Sequence, residues 1–502
     1  MIQRVADMLK YLVSRQIFKK GFALQAQNKI EEAIECYQQV IAVNPKHAIA
    51  CNNLGFIYLE NGDYAKANEY FVRALEIDPN YGSALFNQSL ILLLEGNFKE
   101  GWQKYEYRPS FNKDILQKKW DGSSLENQTL LVVYEQGLGD MIQFMRYLPI
   151  VRERCENLIF ICHPEIKPLI NFPGIEVLIN DQARTVQCNA VIQLLSIPLI
   201  LNTELETIPV NIPYIAADPE KAALWKKTMA ADKLNVGLIW AGNPNHLADA
   251  RRSLHLSDFA PIAHPGVVFH SLQVAHRAEE ANQPPEGMHL ENPAKDIADF
   301  SDTSAIIENL DIVISVDTAV AHLAGAMGKP VWILLPFSPD WRWMLNREDS
   351  PWYPTARLFR QSQPDVWTDV IQRVAGELNH LAWRRASEFY RAAMNCIQEN
   401  KLNEALALTD KAIAVKPDYP DAVFNRGYIF KLQGNHKASE ESFRRFIELK
   451  SDHAEAYLGL GLALQEQGRP KEAEGYYQQA LVLNPNHTEV YLALGNTLKE
   501  LG

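Results

Sequence analysis

No cysteine pair is spaced C-x-x-C, no block of Lys and Arg interrupts the chain, and no apolar run reaches about 18 residues. Each absence closes a class of function. The six cysteines (Cys36, Cys51, Cys155, Cys162, Cys188 and Cys396) are scattered over 502 residues. Neither a disulfide framework nor a zinc site is expected, and a reducing compartment fits best. On a chain of net charge −12, the lack of clustered positive charge argues against a nucleic-acid or anionic-membrane surface. The missing apolar run argues against a membrane span. Met1 to Lys20 mixes apolar and charged residues without an uncharged stretch or small-residue cleavage site, so no secretory signal is expected. No Asp-x-Asp motif lies near an expected strand end, and His163, His246, His270 and His276 offer no i,i+4 pair, so no bound metal is expected. The chain reads as cytoplasmic.

What the chain does have is a repeat. Gly21, Ala33, Tyr37 and Pro45 recur 34 residues later as Gly55, Ala67, Phe71 and Pro79. A third unit, Gly96-Asn-Phe-Lys, matches Gly62-Asp-Tyr-Ala before the pattern fades near Arg108-Pro109. The period returns at Gly427 and Gly461, with Ala405, Ala473, Phe443 and Tyr477 at matching positions and Pro417 and Pro485 two periods apart. Each unit reads as two amphipathic helices, with Gly at a close crossing and Pro after the second. This is the tetratricopeptide (TPR) signature. Such arrays curve, and their concave face is expected to hold a protein or peptide partner. The plainer expectation is that they cap the middle or mediate self-association. Gly495 stands 34 residues after Gly461, so the last helix reads as a terminal cap or as the start of a further repeat in a longer chain.

Between Thr129 and Gln363 the periodicity changes. Apolar runs at Leu130–Tyr134, Leu158–Cys162, Ala190–Leu194, Val236–Trp240, Val267–Ser271, Ile312–Ser315 and Val331–Leu335 alternate with helix-like segments such as Thr303–Leu310 and Ala319–Met327. Buried parallel strands read this way. The polar stretch Ala216–Asn235 separates two sets, which suggests two Rossmann-like halves facing a cleft. The expected fold is a GT-B-type α/β pair of Rossmann-like domains flanked by all-α TPR solenoid arrays. Its divisions are 1–120 for the first array, 121–220 and 221–380 for the two halves, and 381–502 for the second array.

Parallel sheets place ligands beyond the carboxyl ends of their strands. One such end carries Glu135-Gln-Gly-Leu-Gly-Asp140, where Gly137 and Gly139 permit a tight turn and close approach to a ligand. Asp140, expected at a helix N-terminus and pointing into the cleft, can take a proton from an attacking hydroxyl or can cap the helix. A second strand end carries Asp317-Thr-Ala-Val-Ala-His322. Free N–H groups at that helix start suit a diphosphate, Thr318 adds a hydroxyl, and His322 sits one turn in. The alternative makes Thr318 a cap and His322 a packed core residue. Trp240, Trp341 and Trp343 follow strand ends, where they can stack on a base or sugar or simply pack.

Asp317-Thr-Ala-Val-Ala-His-Leu-Ala-Gly-Ala326 resembles the nucleotide-binding segment of glycosyltransferase family 9, the ADP-heptose:lipopolysaccharide heptosyltransferases. Gly137-Leu-Gly-Asp140 is similar to their first-strand loop, and Trp240-Ala-Gly-Asn-Pro with Arg251-Arg-Ser253 to their phosphate-neutralising segment. Together with Glu135–Pro149, Ser271-Leu-Gln273 and Trp341-Arg-Trp343, the chain from Gly21 onward resembles a bacterial group of TPR proteins with such a core. The resemblance implies inverting, metal-independent transfer from a nucleotide-sugar donor, with no further cofactor. It implies Asp140 as the base and Arg252, or equally Arg251, as the cation. Ser253, Asp317, Thr318, Ala319 and His322 would contact the donor, and Gln136, Gly137, Gly139, Trp240 and Asn243 would line the cleft. Lipopolysaccharide heptosyltransferases carry no TPR arrays. The plan of repeats plus core is similar instead to protein O-GlcNAc transferases, in which the repeats present polypeptide acceptors; their catalytic His or Lys has no matching position here. The rival expectation is a TPR scaffold whose core binds a nucleotide, or nothing, and transfers no sugar.

Overall fold

The structure, a computed structural model, describes residues 2–109, 119–179, 182, 186–246 and 249–502, with the backbone alone for residues 2–7 and 9. Its first part is a run of paired helices: α1 (Ile2–Ala26), α2 (Ile30–Val43), α3 (Ala48–Glu60), α4 (Tyr64–Ile77), α5 (Gly82–Leu94) and α6 (Phe98–Tyr105). The repeated glycines mark where the helices of a unit cross. A Cβ on Gly55 would stand 2.7 Å from the Phe71 ring, so only glycine lets the ring reach the facing backbone. Between helices, Gly62 (φ +78°) and Gly96 (φ +87°) take the left-handed turn. Asp63 then caps α4 by accepting the Lys66 N–H at 3.2 Å.

Two parallel sheets follow. In the first, β1 (Leu125–Val133), β2 (Cys155–Cys162), β3 (Ile175–Ile179) and β4 (Ala190–Gln193) lie in the order β3-β2-β1-β4. In the second, β5 (Leu234–Ile239), β6 (Val267–Ser271), β7 (Leu290–Glu291), β8 (Ile312–Val316), β9 (Val331–Leu335) and β10 (Ala356–Arg360) lie in the order β10-β9-β8-β5-β6-β7. Strand β1 leads into α7 (Leu138–Phe144) and β8 into α8 (Ala319–Ala326), the two segments expected to carry the site. Helix α7 places Asp140 in its first turn, as expected, and gives way to a 3-10 turn at Met145–Tyr147. The polar stretch between the two sheets contains a short helix, Pro219–Lys226, capped by Asp218.

The C-terminal array starts inside the core. Helix α9 (Thr368–Gln398) buries Val370, Ile371, Val374 and Leu378 against the second sheet's cluster and then becomes the first helix of the array. It continues through α10 (Leu402–Val415), α11 (Pro420–Leu432), α12 (His436–Leu449), α13 (Ala454–Gln465), α14 (Pro470–Leu483) and α15 (Thr488–Leu501). A Cβ on Gly461 would lie 2.4 Å from Tyr477, the same crossing as in the first array. The largest apolar cluster does not respect these divisions. It joins Phe98, Trp102 and Tyr105 of α6, Met141 and Phe144 of α7, Leu323 of α8, and Trp341, Trp343 and Trp352 beyond β9. Among the described residues no helix is long and apolar enough to cross a membrane.

Candidate functional site

The chain leaving β1 turns at Gln136, whose φ of +62° supplies the left-handed step that glycine was expected to provide; Gly137 itself is extended. Glycine is needed at position 139 for a different reason. A Cβ there would stand 2.9 Å from the His322 ring and 3.6 Å from Ala319 Cα, so the loop after β1 lies directly against α8. Asp140 stands at this contact. One carboxylate oxygen accepts the Gly137 N–H at 2.8 Å, closing the first turn of α7. The other accepts from a terminal nitrogen of Arg342, which comes from the second half of the core.

On the facing side, β8 ends in a polar turn. Thr318 is the residue before α8, and its hydroxyl lies 3.0 Å from that of Ser315 rather than on the helix N–H groups. His322 is 5% exposed. Its Nδ1 meets the Tyr353 hydroxyl at 3.0 Å, its ring stacks on Trp343 at 5.2 Å, and its Nε2 lies 3.8 Å from Asp317. Burial, then the Arg342 cation, push its pKa down to about 3, so the ring is neutral. Burial, then the neighbouring Asp340 carboxylate, push Asp317 up to about 6. Burial alone would raise Asp340 as well, but Arg342 outweighs it and holds that carboxyl below its ordinary value.

Two guanidinium groups serve this cluster. Arg252 lies over Gly242, where a Cβ would fall 2.7 Å from its terminal nitrogen, and its Nε donates to Asp249 at 3.2 Å. Its charge is felt at Asp317 and His322. Arg251, equal to Arg252 on spacing, goes elsewhere: it binds the Glu60 carbonyl at 2.9 Å and the Glu60 carboxylate, at the end of α3. The second guanidinium is Arg342, a residue the motifs did not single out. It donates to Asp340 at 2.8 Å as well as to Asp140, and it lies 4.4 Å from the Trp341 ring.

The remaining expected residues divide between support and packing. Ser253 accepts the Gly242 N–H at 2.9 Å, and Gln273 accepts the N–H groups of Trp240 and Ala241, which together fix the loop after β5. Asn243 is exposed and accepts the Asn245 N–H at 3.0 Å. Trp240, expected to line the cleft, instead packs in the second core with no exposure, because β5 is central in its sheet. Trp341 and Trp343 are buried too. His246 lies within electrostatic reach of the cluster. Burial, then Arg252, push its pKa down, while Asp340, Asp249 and Asp140 oppose them. Among the described residues no three His, Cys, Asp or Glu side chains group as a metal site.

The first array forms a wall beside this site. The Tyr105 hydroxyl donates to Gln136 at 3.3 Å, and Arg108 makes a buried fork to Glu135 at 3.0 and 2.5 Å. Tyr64 and Ser338 meet at 3.3 Å, and Ser338 donates to the Leu59 carbonyl at 2.9 Å. Family profiles for the tetratricopeptide repeat match residues 21–62, 48–81, 390–452 and 454–487. Both flanks are TPR arrays. Protein FlbA of Caulobacter vibrioides is 28% identical over 443 residues, which cover 72% of this chain and 72% of FlbA. A probable UDP-N-acetylglucosamine–peptide N-acetylglucosaminyltransferase, SPINDLY of Hordeum vulgare, is 36% identical over 93 residues, 17% of this chain and only 10% of that protein. Human protein O-mannosyl-transferase TMTC1 is 35% identical over 95 residues, 18% of this chain and 10% of its own length. Among solved structures, the first TPR of Spaghetti (RPAP3) bound to an HSP90 peptide is 21% identical, with a TM-score of 0.23. It covers 24% of this chain and 94% of that one.

Proposed function

We propose that the chain is a cytoplasmic glycosyltransferase with a GT-B-type core akin to glycosyltransferase family 9, divided near residues 120, 220 and 380. It moves a sugar, with inversion and without a metal, from a nucleotide-sugar donor to an acceptor recruited by its TPR arrays. One observation carries this reading: the loop holding Asp140 and the start of α8 lie in contact at the carboxyl ends of two parallel sheets. A sugar held there would sit between a carboxylate able to take the acceptor's proton and a helix start, with Arg252 beside it, able to receive the leaving diphosphate. Thr318 has its hydroxyl free of the helix cap, as a phosphate contact would need. A peptide acceptor is supported by the SPINDLY relatives, probable peptide N-acetylglucosaminyltransferases that match this chain over a short segment.

The scaffold reading draws on one observation as well. Both Asp140 oxygens already have partners within the chain, as in a purely structural cap. The two readings part on binding and turnover. Calorimetry with ADP, UDP and GDP should find one nucleotide that saturates wild type, and Arg252→Gln should weaken it by about 1–3 kcal/mol. With the matching sugar donor, Asp140→Asn should lower turnover by about a hundredfold or more while leaving nucleotide binding in place. A folded protein that binds none of the three nucleotides would leave the scaffold reading standing.

A further inference from the structure

Arg342 contacts two carboxylates of the cluster, Asp340 and Asp140. Its side chain is anchored on Asp340 by one terminal nitrogen, which donates at 2.8 Å to the carboxylate oxygen that also accepts the Arg342 main-chain N–H at 3.0 Å. Its far nitrogen crosses to Asp140 in the other half of the core. The residue is 7% exposed, yet its Nε–H has no acceptor. A buried guanidinium with an unmet donor is costly unless something else satisfies it. The next residue, Trp343, stacks on His322, so the guanidinium lies beside the start of α8. The charge count around it is uneven. Asp140, Asp317, Asp340 and Asp249 lie with Arg252 and Arg342, Arg146 adds its charge at His322, His322 is neutral and His246 is held toward its neutral form. An anion entering beside Arg342 competes with Asp140 for that cation.

We propose that Arg342 is a shared cation: it holds Asp140 until a diphosphate arrives, then passes to the diphosphate and frees the carboxylate. The proposal rests on the reading of the α8 start as a diphosphate site. Arg342 acts as a positioning residue, because it governs what Asp140 can do without reacting itself. The unmet Nε–H and the two terminal nitrogens give the guanidinium enough donors to engage an oxyanion while Asp340 keeps it in place. Binding of the anion and release of Asp140 then become one event. Asp140 and the anion compete for the same cation, so removing one must strengthen the other's hold on it.

The test is a double-mutant cycle read by calorimetry with inorganic pyrophosphate as the probe. Asp140→Asn retains a capping oxygen for Gly137 but gives up the ion pair. It should bind pyrophosphate about tenfold more tightly than wild type. Arg342→Gln should bind it about tenfold or more weakly, and Asp140→Asn in the Arg342→Gln background should gain almost nothing. If the gain persists in that background, Asp140 merely repels the anion and the shared-cation proposal falls. It also falls if Asp140→Asn binds no better than wild type. If no form binds pyrophosphate, the diphosphate reading falls with it, and the nucleotide titrations will show that independently. Thermal unfolding checks each variant. Should Arg342→Gln fold poorly, Arg342→Lys takes its place, and its coupling to Asp140 must come out smaller than arginine's, because lysine lacks the two separate terminal nitrogens with which Arg342 reaches Asp340 and Asp140.

Discussion

The two TPR arrays are built from the same crossings and turns, yet they are joined to the core in different ways. The C-terminal array is tied end-on. One continuous helix, α9, runs from the second core into the array, and α10 packs where a Cβ on Gly266 would fall 1.8 Å from the Val415 carbonyl oxygen. Beyond that its apolar residues form a cluster of their own, with Tyr477, Phe443 and Leu460. The N-terminal array is instead welded side-on. Its shortened last helix, α6, gives Phe98, Trp102 and Tyr105 to the cluster shared by both halves of the core, and the Trp102 indole N–H donates to the Thr203 carbonyl at 3.0 Å. A repeat therefore does not determine its own role. The role comes from what replaces the standard residues in the unit that meets the core.

The sharpest way to break the comparison is to remove one large buried ring from each array. Trp102→Ala should cost about 3–5 kcal/mol and lower the unfolding temperature of the core itself. Tyr477→Ala deletes an equally buried ring, but hydrogen exchange should show its loss confined to the last C-terminal helices. Nucleotide binding should fall with the first substitution and survive the second. If both variants lose the core together, the arrays are equally integrated and the distinction between them is wrong.

The buried pair between Arg108 and Glu135 makes the same point with charge. Both side chains are almost wholly buried, and Arg108 also reaches Ser196 at 2.8 Å and Glu106 at 2.8 Å. Arg108→Met should cost about 3–5 kcal/mol, since it leaves Glu135 buried without a partner. Adding Glu135→Met should restore most of that in urea unfolding, because a matched apolar pair replaces a matched ionic one. Glu106 keeps Lys119 at 2.5 Å in either variant.

What was legible in the sequence follows the same physics. The repeats stood out because a Gly facing an aromatic ring must recur at one spacing. The strands Val267–Ser271 and Val331–Leu335 match their apolar runs residue for residue, since both faces of a parallel strand are buried. The strands β3, β7 and β10 were missed, as edge or near-edge strands often are. β10 reads Ala-Arg-Leu-Phe-Arg, and its two half-buried arginines, which fall on opposite faces, interrupt the apolar run. At the site, Asp140 and the α8 segment announced themselves by strand-end position and by resemblance. Arg342 stood inside the quoted Trp341-Arg-Trp343 but was given no role, because its partner Asp140 lies 202 residues away on α7. Likewise, nothing in the Arg251-Arg252 pair says which one turns toward α3.

Acid titration separates the two sides of the site by sign. His322 has its pKa lowered to about 3 in the fold, so the stability it lends is full above its unfolded value near 6.5 and is lost as pH falls. Asp317 has its pKa raised to about 6, so its contribution is full below its unfolded value near 3.9 and is lost as pH rises through about 6. Between pH 7 and 4.5 the histidine should lose stability while the aspartate returns some, so the two oppose each other in wild type. Asp317→Asn should unmask the acid loss, and His322→Gln should reverse it, in unfolding temperatures followed across that range. The two are 3.8 Å apart, so the double variant should depart from the sum.

The smallest effect tests whether the side-on contact of the first array matters beyond its apolar weld. Arg251 and Glu60 are each about one-third exposed, so their ion pair should contribute about 0–1 kcal/mol, and less at high salt. Glu60→Gln should barely move the unfolding temperature. Its consequence should be positional: Arg251 precedes Arg252 directly, and freeing it loosens the helical turn Asp249–Arg252 that sets Arg252 over Gly242. Nucleotide affinity should then weaken about two- to threefold in Glu60→Gln, while Arg251→Gln gives the same loss and the double variant gives no more. An affinity unchanged in both single variants would mean that the array touches the donor side without influencing it. The weld at Trp102 would then be the whole of the coupling between the first array and the site.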